Sequence, residues 1–465
     1  MGTGTPLWKH SWLASDRPVP RLIARPVRNF LNTEAAGGIV LLAATVIALL
    51  WVNSPFKDSY GSFWGTEFRL SLGSLELVQD LRHWVNDGLM TVFFFVVGLE
   101  IKRELVAGEL NQVRKAALPA FAALGGMIVP AAIYLVLNLG GPGERGWGIP
   151  MATDIAFAVG VLALLSKRVP PGLKVFLLSL AIVDDIGAIL VIALFYSGGL
   201  DLEWLVGAGF VLVVIAVMQR LRVFWVPVYV LLGAGLWLAT FESGIHATIA
   251  GVVLGLLTPA RPTDPRGYEE VFENASALSR ESDAEALRAT TREAQEVVSV
   301  AERLEYSLHP WTSFVVVPLF ALANAGLVVS LDSFRNAATS RVTLGIVAGL
   351  VVGKIVGIAG MSWLAIRLNL AEAPEGVTRR HLFGAAAVAG IGFTVSLFIT
   401  GLAFTDADLA DAAKLGVLVG SIIAGIGGAA ILATGKPEDR PDRAARTLGS
   451  TETTSRLSPP TSPGL

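Results

Sequence analysis

The sequence predicts an all-α polytopic membrane protein with about twelve transmembrane helices. Three observations carry that reading. Hydrophobic residues make up 53% of the 465-residue chain and charged residues only 16%, against about 25% charged in soluble domains. The charges are segregated, so they bracket long apolar runs. Those runs mostly approach the roughly 20 residues a helix needs to cross hydrocarbon. They centre near Leu42, Phe94, Ala123, Phe157, Asp185, Val213, Leu232, Val252, Phe320, Lys354, Gly390 and Leu418. The seventh and eighth are short, with only the segment around Phe241-Glu-Ser-Gly244 between them.

The remaining segments follow from composition. Residues 1–31 carry Lys9, Arg17, Arg21, Arg25 and Arg28 among several prolines, with no small-residue cleavage site. They read as a cytoplasmic tail leading into the membrane domain, residues 32–435. Lys and Arg in the short loops then set the orientation. Inner loops hold Lys102, Arg103, Arg114, Lys115, Lys167, Arg168, Lys174, Arg220, Arg222, Arg367, Arg379 and Arg380. Outer loops hold fewer: Lys57, Arg69, Arg82, Arg145, Arg335, Arg341 and Lys414. Both termini are therefore expected in the cytoplasm. Phe68 to Leu77 alternates apolar and polar around Gly73-Ser74, a β-hairpin pattern near residues 66–78 in the first outer loop. A charged cytoplasmic loop, residues 260–305, includes Ser282-Asp-Ala-Glu285, a spacing that can start a surface helix. Residues 436–465 are rich in Pro, Ser, Thr and Arg and read as a disordered cytoplasmic tail. The chain has no cysteine, which excludes disulfides, thiolate metal sites and cysteine nucleophiles. No cofactor and no nucleic-acid partner is expected.

Function is sought where polar residues lie deep in the spans. Asp184 and Asp185 sit mid-way through the apolar run Val175 to Tyr196. An acidic side chain at the bilayer centre costs on the order of 2.5–3.5 kcal/mol on insertion scales. Two adjacent carboxylates also disfavour ionising together. Such a pair belongs where protons or cations reach it. Asp154 follows Thr153 and lies just beyond Pro150. A proline inside a span removes a backbone hydrogen bond, and irregular backbone at membrane depth needs protein or a cavity to satisfy it. The fourth span is thus expected to break near Thr153, and its oxygens suit a small hard cation such as Na⁺. Lys354 stands beside glycines 345, 349, 353 and 357, a four-residue seam for close helix packing. It is expected to face protein. A second break is expected at Ala389-Gly-Ile-Gly-Phe-Thr-Val-Ser396, where two glycines and two hydroxyls weaken the helix. The two breaks fall in the middle helices of spans 3–5 and spans 10–12. An odd helix count per set makes the copies opposite in orientation, the inverted-repeat pattern of secondary transporters.

These residues also carry a resemblance. The chain resembles the NhaA-type sodium/proton antiporters, themselves a worked example of that inverted-repeat rule. The matching stretches are Asn86-Asp-Gly-Leu-Met90, Val97-Gly-Leu-Glu-Ile-Lys-Arg-Glu-Leu105, Ala152-Thr-Asp-Ile-Ala-Phe157 and Leu180-Ala-Ile-Val-Asp-Asp-Ile-Gly187. Further along come His246-Ala-Thr-Ile-Ala-Gly251, Leu304-Glu-Tyr-Ser-Leu-His-Pro-Trp311, Pro318-Leu-Phe-Ala-Leu-Ala-Asn-Ala-Gly326, Gly353-Lys354 and Gly390-Ile-Gly-Phe-Thr394. The resemblance runs from about Thr33 to Gly435. It implies that Asp184 and Asp185 form the Na⁺ (or Li⁺) and proton site, and that Lys354 pairs with Asp184 when no Na⁺ is bound. It places Thr153 and Asp154 at the break of the fourth span. Asp154 and Lys354 then offset opposite helix-end partial charges where the broken helices cross. Glu100, Arg103, Glu104, Glu305 and His309 fall in the region the family uses to respond to pH, and His246 is linked to that response. The resemblance further implies a homodimer through the hairpin near Leu70–Leu77, in the inner membrane of a bacterium, among lipid. Tyr306 departs from relatives that have histidine there. The 260–305 loop and both tails are additions.

The expected activity is electrogenic export of Na⁺ or Li⁺ in exchange for entering H⁺, by alternating access, and not an enzymatic reaction. A sodium-coupled solute symporter of similar fold is the alternative. An intramembrane aspartyl protease fits poorly: it needs facing carboxylates, and adjacent helical residues point about 100° apart.

Overall fold

The computed structural model describes residues 33, 35–72, 75–221, 223, 226–261, 297–328, 335 and 339–434. Both expected tails, the hairpin turn at 73–74 and the Ser282–Glu285 helix start lie outside the described residues.

The described chain is helical apart from one hairpin. Helix α1 (Ala36–Val52) bends by 116° into the short α2 (Lys57–Trp64). Strands β1 (Glu67–Leu72) and β2 (Leu75–Asp80) pair antiparallel, with Leu70 opposite Leu77. The hairpin is thus two residues longer at its far end than its alternation predicts. A turn at Leu81–His83 and a π turn at Trp84–Leu89 lead into α3 (Met90–Val106). Next come α4 (Val113–Asn138), a 3₁₀ segment at Glu144–Met151, α5 (Ile155–Leu164) and α6 (Pro171–Phe195). Then follow α7 (Leu202–Arg220), α8 (Val226–Glu242) and α9 (Thr248–Leu257). After the loop, α10 (Val300–Trp311) continues through a π turn into α11 (Val317–Asn324). Helix α12 (Arg341–Ala348) runs through a π turn at Gly349–Gly353 into α13 (Lys354–Arg367). The last three are α14 (Arg379–Val388), α15 (Phe393–Ala403) and α16 (Ala407–Ala433).

Local chemistry explains the ends. Asp201, Ser299, Thr378 and Asp406 cap α7, α10, α14 and α16 by accepting first-turn N–H groups, as N-cap side chains do. Ser299 starts α10 at Val300, so the charged loop ends earlier than expected, before Glu305. Among the described residues, seven helical segments are long and apolar enough to cross a membrane, and up to nine if each bent pair counts as one. The other three of the twelve predicted spans are α3 and α8, of 17 residues each, and α9, of 10. Length and hydropathy alone do not qualify these three, although each is a helix.

Glycine contacts set the helix crossings that position the site. A Cβ on Gly357 would lie 2.0 Å from the Gly125 carbonyl oxygen, and one on Gly125 2.1 Å from that of Gly357. Helices α4 and α13 therefore touch backbone to backbone, as small-residue interfaces allow. Gly353 packs on Pro130, Gly349 on Pro150 and the Pro130 oxygen, and Gly345 on Tyr134 and Asn138. The predicted seam is therefore the face that α12 and α13 present to α4. An ideal α-helix drifts off a four-residue period; the wider π turn at Gly349–Gly353 keeps the seam in register. Elsewhere, α3 and α9 approach as closely, with a Cβ on Gly251 placed 2.2 Å from the Thr91 oxygen.

Candidate functional site: two crossed breaks and a buried ion pair

The fourth span breaks where Pro150 predicts. Backbone leaves the 3₁₀ segment after Met151 and runs extended through Ala152, Thr153 and Asp154 before α5 begins. The second break, residues 389–392, separates α14 from α15, which bend by 45°. The two breaks cross and satisfy each other. Asp154 N–H donates to the Ile391 oxygen at 2.6 Å. The Thr153 hydroxyl donates to the Ala389 oxygen at 2.9 Å, at the end of α14. Gly392 N–H donates to Ser421 Oγ of α16, and Ser396 Oγ donates to the Ile149 oxygen. Backbone groups freed by each break thus find partners without water, as membrane depth requires.

Asp154 serves two helix ends at once. Its Oδ1 accepts from Phe157 N–H, capping α5. Its Oδ2 accepts from Thr394 N–H at 3.0 Å and from the Thr394 hydroxyl at 2.5 Å, in the first turn of α15. A carboxylate at two helix N-termini balances the positive partial charge of both. Lys354 works toward the opposite polarity. Its Nζ donates to Thr153 Oγ1 at 2.9 Å, and Thr153 in turn reaches the C-terminal carbonyl of α14.

The same ammonium binds Asp184 Oδ2 at 2.9 Å. All five residues are buried: Lys354 is 0% exposed, Asp184 and Thr153 1%, Asp154 2% and Asp185 7%. Asp184 Oδ1 has no hydrogen-bond partner among the described residues. Asp185 lies within electrostatic reach of Asp184, Glu100, Asp154 and Lys354.

A second polar cluster joins α3 to α10. Arg103 Nη1 pairs with Glu305 Oε1 at 2.5 Å, and Arg103 Nη2 lies 3.7 Å from Glu104. Glu100 is within electrostatic reach of Glu305, Arg103 and Glu104, and also of Asp185. It is thus in reach of both the cluster and the aspartate pair. His309 is exposed but feels Arg103. His246 lies apart from this cluster, with its Nε2 2.7 Å from the Tyr196 oxygen.

Thr394, Ser396 and Ser421 are the polar groups that sequence reading did not place in the site. Thr394 and Ser396 were visible as hydroxyls within the predicted second break. Ser421 had only a weak signal, a lone serine after Gly420 in an apolar helix.

Crossed broken helices around buried carboxylates and a lysine are the architecture of a secondary transporter. The chain belongs to the Na+/H+ antiporter 1 family, whose sequence model matches residues 28–432. It is 50% identical to Na(+)/H(+) antiporter NhaA 3 of Frankia alni over 90% of this chain and 92% of that one. It is 49% identical to Na(+)/H(+) antiporter NhaA of Rhodopirellula baltica, over 90% and 95%. The solved sodium proton antiporter MjNhaP1 of Methanocaldococcus jannaschii is 14% identical over 88% of this chain and 99% of that one, with a TM-score of 0.48.

Proposed function

We propose that this chain exports Na⁺ or Li⁺ across a bacterial inner membrane in exchange for entering H⁺, at the Asp184–Asp185 pair. One observation carries the reading. Of two adjacent buried carboxylates, Asp184 pairs with the single lysine through Oδ2, and its Oδ1 has no hydrogen-bond partner among the described residues. Uncommitted carboxylate oxygens are ligands for a small hard cation.

Protons and Na⁺ then compete for one site. With both carboxyls protonated the site holds no negative charge and releases Na⁺. With both ionised it binds Na⁺. The two titrate as a coupled pair. Lys354 is the counter-ion while Na⁺ is absent, because an unpaired charge at this depth is costly. Arrival of Na⁺ exchanges one cation for another beside Asp184. Asp154 and Thr153 hold the crossing in shape, so the site keeps its geometry while one helical bundle rocks against the other.

If two protons enter per Na⁺, one net charge moves inward. That is worth about 2.3 kcal/mol per 100 mV and drives Na⁺ out of a negative-inside cell. Glu100, Arg103, Glu104, Glu305 and His309 connect this site to the cytoplasmic face and are assigned to pH response, with His246 a separate contributor. Both termini are cytoplasmic, and the hairpin joins two copies as a homodimer.

The test is proton flux in everted vesicles, followed with a pH-sensitive dye as Na⁺ or Li⁺ is added across a pH series. The native chain should collapse the proton gradient and Asp185→Asn should not. Absence of any response at every pH, with protein confirmed in the membrane, would overturn antiport in favour of sodium-coupled solute symport.

A further inference from the structure

The outer junction of α2, the hairpin and α16 gathers donors that ion exchange does not use. Five buried side-chain polar atoms have no hydrogen-bond partner among the described residues, and two of these are N–H donors: Trp64 Nε1 and Arg82 Nε. They belong to elements in contact, since α2 packs on the Leu81–His83 turn that carries Arg82. Trp64 and Tyr60 lie one helical turn apart on the buried face of α2, each 4% exposed. Arg82 is within electrostatic reach of Tyr60 and of the Lys414 ammonium on α16.

The acceptors nearby are taken or weak. The Tyr60 hydroxyl donates to the Leu322 and Ala323 oxygens. Asp80, which also feels Arg82, accepts from His83 N–H and pairs with its ring at 2.7 Å. Asp411 meets Lys414 at 3.4 Å and is half exposed. Buried donors are nearly always satisfied in folded proteins. Two unpaired buried donors on elements in contact, with an ammonium in electrostatic reach of one of them, are groups that an anion would satisfy.

We propose that this junction binds a phosphate oxyanion, held by Arg82, Trp64 Nε1 and Lys414. Arg is over-represented where phosphate is recognised, and Lys adds a point charge. The depth points the same way. Helix α2 turns off the end of α1, with Trp51, Tyr60, Phe63 and Trp64 in ring contact and Phe56 and Phe63 exposed. Aromatic belts of this kind mark the headgroup level. A lipid phosphodiester stands there, and free phosphate from solvent presents the same oxygens. Bound, it ties α2 and the hairpin base to α16.

Thermal unfolding of the full chain, delipidated in detergent, tests this with phosphatidylglycerol, inorganic phosphate or potassium chloride at matched ionic strength. Phosphatidylglycerol or phosphate should raise the midpoint by several degrees over chloride. A rise with lipid alone identifies a headgroup, and a rise with inorganic phosphate identifies the free anion. Arg82→Gln and Trp64→Phe should each remove most of the rise, and Arg69→Gln on the exposed hairpin should keep it. Trp64→Phe retains the ring and deletes only the donor, so it decides the matter even if Arg82→Gln does not fold. No rise with either probe, an equal rise with chloride, or a rise that survives Trp64→Phe would overturn the site.

Discussion

Lys354 and Asp184 form the contact on which most else depends. Both are buried, and their charges meet at 2.9 Å. Removing one partner of such a pair leaves an uncompensated charge and costs about 3–5 kcal/mol in soluble proteins. Lys354→Ala should therefore lower the unfolding midpoint in detergent clearly. Asp184→Asn combined with Lys354→Ala should recover much of that loss, because both charges go together. A double-mutant cycle over the four proteins checks this, and simple additivity would refute the coupling. The proton-to-Na⁺ ratio of Lys354→Ala then separates two proton-release schemes. An unchanged ratio shows that the lysine proton is not required.

At the scale of elements, the site is placed by helix crossings and not by the polar residues themselves. Helices α4 and α13 meet at Gly125 and Gly357, where an added methyl would lie about 2 Å from opposing backbone oxygen. Gly357→Ala should push α13, and Lys354 with it, away from the breaks. Overpacking of this kind costs about 1–3 kcal/mol or more. Gly360→Ala, one turn further along α13 with nothing near its Cβ, should be neutral or stabilising by up to about 1 kcal/mol, the usual Gly-to-Ala gain in a helix. Comparing unfolding midpoints and antiport of the two variants tests the claim. Similar behaviour would mean that the crossing tolerates expansion.

For the whole molecule the decisive quantity is competition between protons and Na⁺. A site that must lose protons to bind a cation shows pH-dependent affinity. The apparent KM for Na⁺ should rise about tenfold per pH unit of acidification for each proton displaced, and by more than tenfold if two are. Vesicle flux at graded Na⁺ over a pH series measures it. A KM independent of pH, with only the maximal rate changing, would argue against a shared site and for control from the Arg103–Glu305 cluster.

The sequence by itself determined the class of this protein, nine of the twelve expected spans, the hairpin and the four intramembrane charges, because hydropathy, strand alternation and the cost of a buried charge are local properties. It located both breaks from Pro150 and from Gly390 and Gly392. The pairing of Lys354 with Asp184 comes at that level from family resemblance, not from spacing. Only the tertiary structure decided that Asp154 caps α5 and α15 together, that Thr153 bridges Lys354 to the end of α14, and that Ser421 joins the crossing. Those partners lie 240, 236 and 29 residues apart. No periodicity reaches that far. Which distant groups meet is set by how closely the glycine faces of α4 and α13 allow two backbones to approach, and by the need of each broken helix end for a partner away from water.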